Sequence, residues 1–209
     1  AFNVLIQNAS TVGAIDLGFY NINENNNFIF FDKLKNKEFK ILYLVGSDNL
    51  DIKKNDEFVI YQGSHGDKNA SLADVVLPGA AYTEQNGLFA NLEGRVQECR
   101  KASYPTNEAL EDWKIFNLIN YSINGSKLFS DFLSIRKTAL KEIPNFLEIN
   151  LLPKKIKFTK ANQILEATNE KINIKEIDYY FSNSIARSSK TMSDCRNINI
   201  YNKKSGTNN

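Results

Sequence analysis

The chain has 209 residues, 42% of them hydrophobic and 24% charged, which supports a full buried core and excludes a tail or a fibre. A formal net charge of +2, with no face of interleaved Lys, Arg and aromatics, argues against nucleic acid as a partner. No apolar run approaches the roughly 20 residues of a bilayer crossing, and the amino terminus lacks a basic-then-apolar secretory pattern, so direct membrane insertion is not expected.

In chain order, the opening AFNVLIQNASTVGAIDLGF places Val4, Gln7, Asn8, Val12 and Ile15 at helical spacing, with Gly18 as a stop. Residues 21–39, NINENNNFIFFDKLKNKEF, are Asn-rich around one aromatic cluster, a composition that predicts an exposed connection. KILYLVGSD, DEFVIYQGS and ADVVLPG are short apolar runs that each close on Gly or Pro-Gly. Such runs suit strands buried on both faces of a parallel sheet, with ligand-binding loops at their carboxyl ends. Few residues separate the second run from the third, and a parallel crossover takes about a dozen or more. The sheet is therefore expected to be incomplete, or those two strands not to be neighbours.

Further on, PTNEALEDWKIFNLINYSI offers Thr106 or Asn107 as a helix N-cap, Glu108 in the first turn, and a stripe of Leu110, Trp113, Phe116, Ile119 and Ile123. SKLFSDFLSIRKTALKEI repeats the pattern through Leu128, Phe129, Phe132, Leu133 and Leu140 and stops before Pro144, giving a helical pair joined at Gly125. Beyond Pro153 the apolar positions scatter, as in an arm that packs on something else, and Tyr179, Tyr180 and Phe181 are too apolar to be merely solvated. The fold class is α/β: a partial doubly wound, mostly parallel sheet, then a helical pair, then an extended carboxyl-terminal arm.

The reactive inventory is small. Cys99 and Cys195 lack a CxxC partner, so the four-ligand set of a metal or iron–sulfur site is not available, and two free thiols are expected in preference to a disulfide. His65 is the sole histidine, and its QGSHGD context reads as a tight polar loop, not as a preorganised base. No catalytic group is expected in this chain. The glycine-rich signal lies in LADVVLPGAAYTEQNGLFANLEGRVQ, where Asn91, Glu93, Gly94 and Arg95 crowd together like the contacts of a phosphate or sugar. They also have a reading without any ligand: Gly94 supplies a positive-φ turn, and Glu93 and Arg95 tie adjacent loops.

These residues carry a resemblance. YQGSHGD, ADVVLPGAAYTEQNGLFANLEGRVQ and EDWKI resemble the carboxyl-terminal part of the large iron–sulfur subunit of respiratory complex I, the NADH:ubiquinone oxidoreductase. STVGAIDLGF and DYYFSNSIARSSKTMSDC are similar to the same subunit in its mitochondrial form, while ADVVLP with EGR is shared more widely with molybdopterin-dependent oxidoreductases.

The resemblance implies that residues 1–125 form the carboxyl-terminal portion of a molybdopterin-oxidoreductase-like α/β domain. Residues 126–153 would be a second helix with its connection, and residues 154–209 the arm. It implies a place in the peripheral arm, on the matrix side of the mitochondrial inner membrane, with iron–sulfur clusters and FMN on partner chains and no cofactor in this one. Its partners would be the amino-terminal, cluster-bearing half of the same subunit and other peripheral-arm subunits. With Met192 as the lone methionine and heavy use of Asn, Lys, Ile and Phe, a split-gene product or processed segment from an AT-rich genome is expected. Gly63, Gly66, Asn91, Glu93 and Arg95 would then be remnants of a nucleotide-cofactor pocket. The runner-up is a fragment of a molybdopterin-dependent oxidoreductase that still uses that pocket, and a third reading is a protein-binding adaptor acting through the aromatic arm.

Overall fold

The computed structural model describes residues 8–19, 26–152 and 178–205. At its centre is a parallel sheet, β1 (Ile41–Val45), β2 (Phe58–Gly63) and β3 (Val75–Pro78), in the order β1-β2-β3. The register sets Leu42 against Val59 and Leu44 against Tyr61, so these four side chains share one face. They are buried there with Leu34 of helix α2 (Asn26–Lys35). Full burial of such a side chain is worth about 1.5–3 kcal/mol. On the opposite face Tyr43 meets Phe116 of α4 (Asp112–Asn124), ring centroids 5.9 Å apart. Helices on both faces make the sheet doubly wound, as the apolar runs predict.

Two expectations are corrected, and one of the two readings of the sheet is excluded. Residues 21–39 are not simply a connection, because α2 occupies 26–35. Phe30 packs on the rings of Phe31 and Phe39 with centroids 5.3 and 5.6 Å apart, and Leu34, one helical turn on, reaches the sheet. Tertiary packing of that edge outweighs the poor helix propensity of asparagine.

Strands β2 and β3 are parallel neighbours despite the short link. Segment 64–74 crosses over with a single helical turn, α3 (Lys68–Ser71), and positive φ at Gly66 and Asp67 tightens the path. Asp74 N then donates to Val59 O and Gly79 N to Gly63 O, at 2.8 and 3.0 Å.

The helix expected from residue 106 begins at Asp112. Leu110 N donates to Pro78 O and Leu110 O accepts from Ala80 N, so the backbone there extends the β3 edge and cannot be helical. The inward residues of α4 are Ile115 and Asn117, whereas Ile123 of the expected stripe is 75% exposed. Asn117 Oδ1 accepts from Leu128 N and Phe129 N, fastening the loop after Gly125, which sits at φ +70° as a helix-ending glycine should.

Helix α5 (Phe132–Glu142) starts with a capping box between Asp131 and Ser134 and stops ahead of Pro144. It serves a second core: Ala90 and Val96 of the hairpin β4 (Gly87–Ala90) and β5 (Val96–Cys99) are buried with Ile143 and Phe146, and Ala139 and Leu140 pack against them. Val12 of α1 (Thr11–Asp16) joins this cluster, and Arg136 pairs with Glu98 across it at 2.6 Å. The expected helical pair is thus divided between two cores. The described part of the arm is helical, with a 3-10 turn at Tyr179–Phe181, α6 (Ser184–Ser188) and α7 (Lys190–Ser205). The scattered stretch from Lys154 to Lys175 lies outside the described residues.

Candidate functional site

The NLEGR residues form the β4–β5 turn. Gly94 N donates to Asn91 O and Asn91 N to Arg95 O, both at 2.9 Å, and Gly94 adopts φ +79°. This is a tight turn closed by a left-handed glycine, a connection that joins antiparallel strands without splaying them. Asn91 Oδ1 accepts from both Glu93 N and Arg95 N, at 3.0 and 2.9 Å, which organises the turn from within. Arg95 Nε donates to Asn150 O at 3.0 Å and so ties the turn to the end of the α5 segment. The Arg95 bond to a backbone carbonyl is of the loop-tying kind, and Glu93 is exposed.

Gly63 and Gly66 belong to a different neighbourhood, at the carboxyl end of β2. A Cβ on Gly63 would fall within 2.3 Å of the Tyr61 hydroxyl, so only glycine leaves that phenol room. The Tyr61 hydroxyl donates to Asp48 and lies 3.2 Å from Gly66 O. Burial, reinforced by Asp48, pushes this phenol well above its ordinary pKa and keeps it a neutral donor. Asn69 on α3 is fully buried, its Nδ2 donating to Ser47 O at 2.7 Å, while its Oδ1 has no partner. Asp67 caps α3 by accepting from Lys68 N, and its carboxylate pairs with Arg187 of the arm. His65 lies exposed beside Ser64, as a polar loop residue.

A third network crosses the sheet. Fully buried Gln62 accepts from the Tyr43 hydroxyl and donates to Asp112 Oδ1 at 2.7 Å, while Gln85 Nε2 donates to Asp112 Oδ2 at 3.1 Å. Asp112 thereby joins β1, β2, the turn before β4 and the start of α4. Sequence patterning missed Tyr61, Gln62, Asp112 and Arg187. The available signal was a glutamine inside an otherwise apolar strand run, since a buried polar side chain needs partners. Cys99 and Cys195 are free thiols, and among the described residues no cluster of His, Cys, Asp or Glu has the make-up of a metal site.

Several carboxylates are held below their ordinary range: Asp74 by the Lys54 ammonium 2.5 Å away, Glu98 by Arg136, and Asp178 by Arg196. Folded pKa values below the unfolded ones give stability that is present above the unfolded values, about 4, and lost as pH falls through the folded ones. Denaturant midpoints are therefore expected to hold between about pH 5.5 and 7 and to fall below about pH 4. Asp74→Asn should flatten that fall, and an unchanged acid slope in the variant would contradict the assignment.

An open parallel sheet clad by helices on both faces, its loops gathered at the strand ends, defines a doubly wound α/β domain. The chain belongs to the molybdopterin oxidoreductase family, whose model matches residues 1–120. It is 36% identical over 200 residues to the NADH-ubiquinone oxidoreductase 75 kDa subunit of Reclinomonas americana, covering 94% of this chain and 28% of that protein. It is 38% identical over 205 residues to the mitochondrial 78 kDa subunit of Candida albicans, covering 92% and 27%. The corresponding mitochondrial 78 kDa subunit of Neurospora crassa is 34% identical over 204 residues, covering 93% and 26%. The chain thus spans a little over a quarter of the length of these relatives. Among the described residues no helix is long and apolar enough to cross a membrane.

Proposed function

We propose that this chain is an architectural part of respiratory complex I, built into the peripheral arm on the matrix side of the mitochondrial inner membrane. Electrons pass from NADH to quinone through flavin and iron–sulfur clusters carried by other chains, and this chain contributes no redox centre. The observation that carries the reading is where the polar groups of the candidate pocket are directed. Asn91 Oδ1 is occupied by its own turn, Arg95 Nε by Asn150 O, and the Asp67 carboxylate by Arg187. These groups are spent on the fold's own bonds, and the space beside Gly63 is filled by Tyr61, which supports the architectural reading.

Assembly with further polypeptide accounts for the apolar surface. Leu77, Leu110, Ile115, Leu118, Ile119 and Ile123 line an open groove of ≈ 330 Å³ between β3 and α4, with Leu118 54% exposed. A monomeric protein seldom leaves such a stripe to water. The cluster-bearing part of the same subunit is its expected cover, given how little of the relatives' length this chain spans.

Arg95→Ala separates architecture from ligand chemistry. Losing one charge-assisted bond at a half-exposed site costs about 1 kcal/mol. Native-gel abundance of the complex is expected to fall modestly while NADH oxidation per flavin stays at the wild-type rate. Full assembly with lost turnover per flavin would instead mean that the turn holds a catalytic ligand.

A further inference from the structure

The arm meets the sheet at one strained place. Asp67 sits at φ +107°, ψ −161°, a region that side-chain-bearing residues essentially avoid. Such a conformation persists only where several ties fix it at once, and Asp67 has them: its carboxylate takes Lys68 N and Arg187 Nε, and its carbonyl takes Ser71 N. Arg187 is equally committed. Its Nη1 donates to Phe181 O at 3.1 Å, and both members of the ion pair are about four-fifths buried, at 18% and 23% side-chain exposure.

The arm behind Arg187 is braced independently. Asp178 pairs with Arg196 at 2.5 Å, the Arg196 guanidinium stacks 4.8 Å from the Phe181 ring centroid, and Asn183 caps α6 through Ala186 N. The arm is thus a braced element that presents Arg187, and the loop after β2 presents Asp67 to it.

We propose that Arg187 and Asp67 form a clasp that closes residues 178–205 over the loop at the carboxyl end of β2, so that arm docking and the strained Asp67 backbone are one two-state element. With the clasp shut, Arg187 of the arm is seated on the Asp67 carboxylate at the Gly66–Asp67 turn. With the clasp open, Asp67 is free to relax and α3 loses the tension that seats Asn69 under Ser47. The clasp consists of contacts within the chain and does not depend on a place in complex I.

Hydrogen exchange on the full 209-residue chain tests it. Arg187→Gln is expected to speed exchange of Lys68 and Ser71 amides in the loop, and of Ala186 and Ser189 in the arm, each by about tenfold. The Asn91 and Gly94 amides, bonded within the β4–β5 turn, serve as an internal reference and should not change. Asp67→Asn keeps the cap on Lys68 N but removes the charge, and should release the same amides. Because both substitutions break one interaction, the double variant should be no worse than either single, and Arg187→Lys should recover part of the protection. Release of the arm without the loop, additive effects in the double variant, or loss of protection throughout the sheet would each overturn the clasp.

Discussion

Asp112→Ala is expected to lower the free energy of unfolding by about 3 kcal/mol. The carboxylate accepts from Gln62 Nε2 and Gln85 Nε2, and Gln62 is fully buried. Alanine leaves that amide without an acceptor in a place water does not reach, which costs about 1–3 kcal/mol for each such group. It also removes the one acidic side chain in the first turn of α4, worth about 0.3–1 kcal/mol against the positive end of the helix. Asp112→Asn keeps an oxygen for Gln62 and should recover most of the loss. Denaturant midpoints of the two variants provide the measurement. A cost below about 1 kcal/mol for alanine would mean that Gln62 has another acceptor and that the network is not what joins α4 to the sheet.

That network also shows what could be read from the sequence and what could not. The strands were legible because ILYLV, FVIYQ and VVLP are short, mostly apolar runs that each close on glycine, although Ile41, Phe58 and Val76 stay exposed where burial on both faces was expected. The NLEGR turn was half legible: Gly94 at positive φ follows from its place between two extended runs, but Arg95 finds Asn150, far along the chain, and no local spacing encodes that. The same holds for Arg187 and Asp67, whose sequence separation is 120. Local patterns failed where tertiary bonds took over the backbone. Thr106 and Asn107 look like a helix start, yet the β3 edge captures Leu110 on both its N–H and its C=O, and the helix must wait for Asp112. The stripe on α4 shifted for a related reason. Its apolar residues are more numerous than this chain's sheet can cover, so part of the pattern serves the open groove beside β3.

The sharpest test of a misread element is Leu34→Ala. The Asn-rich composition around it predicts a solvated connection, in which this change would cost well under about 0.5 kcal/mol. In the structure Leu34 is 5% exposed, lies against Leu42, Leu44, Val59 and Tyr61, and is flanked by Phe30 and Phe39. Removing a buried leucine from such a cluster costs about 2–5 kcal/mol, the span reflecting how far the neighbours close the cavity. Here they are strand residues fixed by ladder hydrogen bonds, so little collapse is open to them and the upper half of that range is expected. Lys33→Ala, one residue earlier on an exposed position of the same helix, provides the control and should change stability by less than about 0.5 kcal/mol. Unfolding midpoints measured side by side decide the matter: equal, small effects would return residues 26–35 to the role of a connection, whereas a large effect confined to Leu34 makes this helix one wall of the sheet's core.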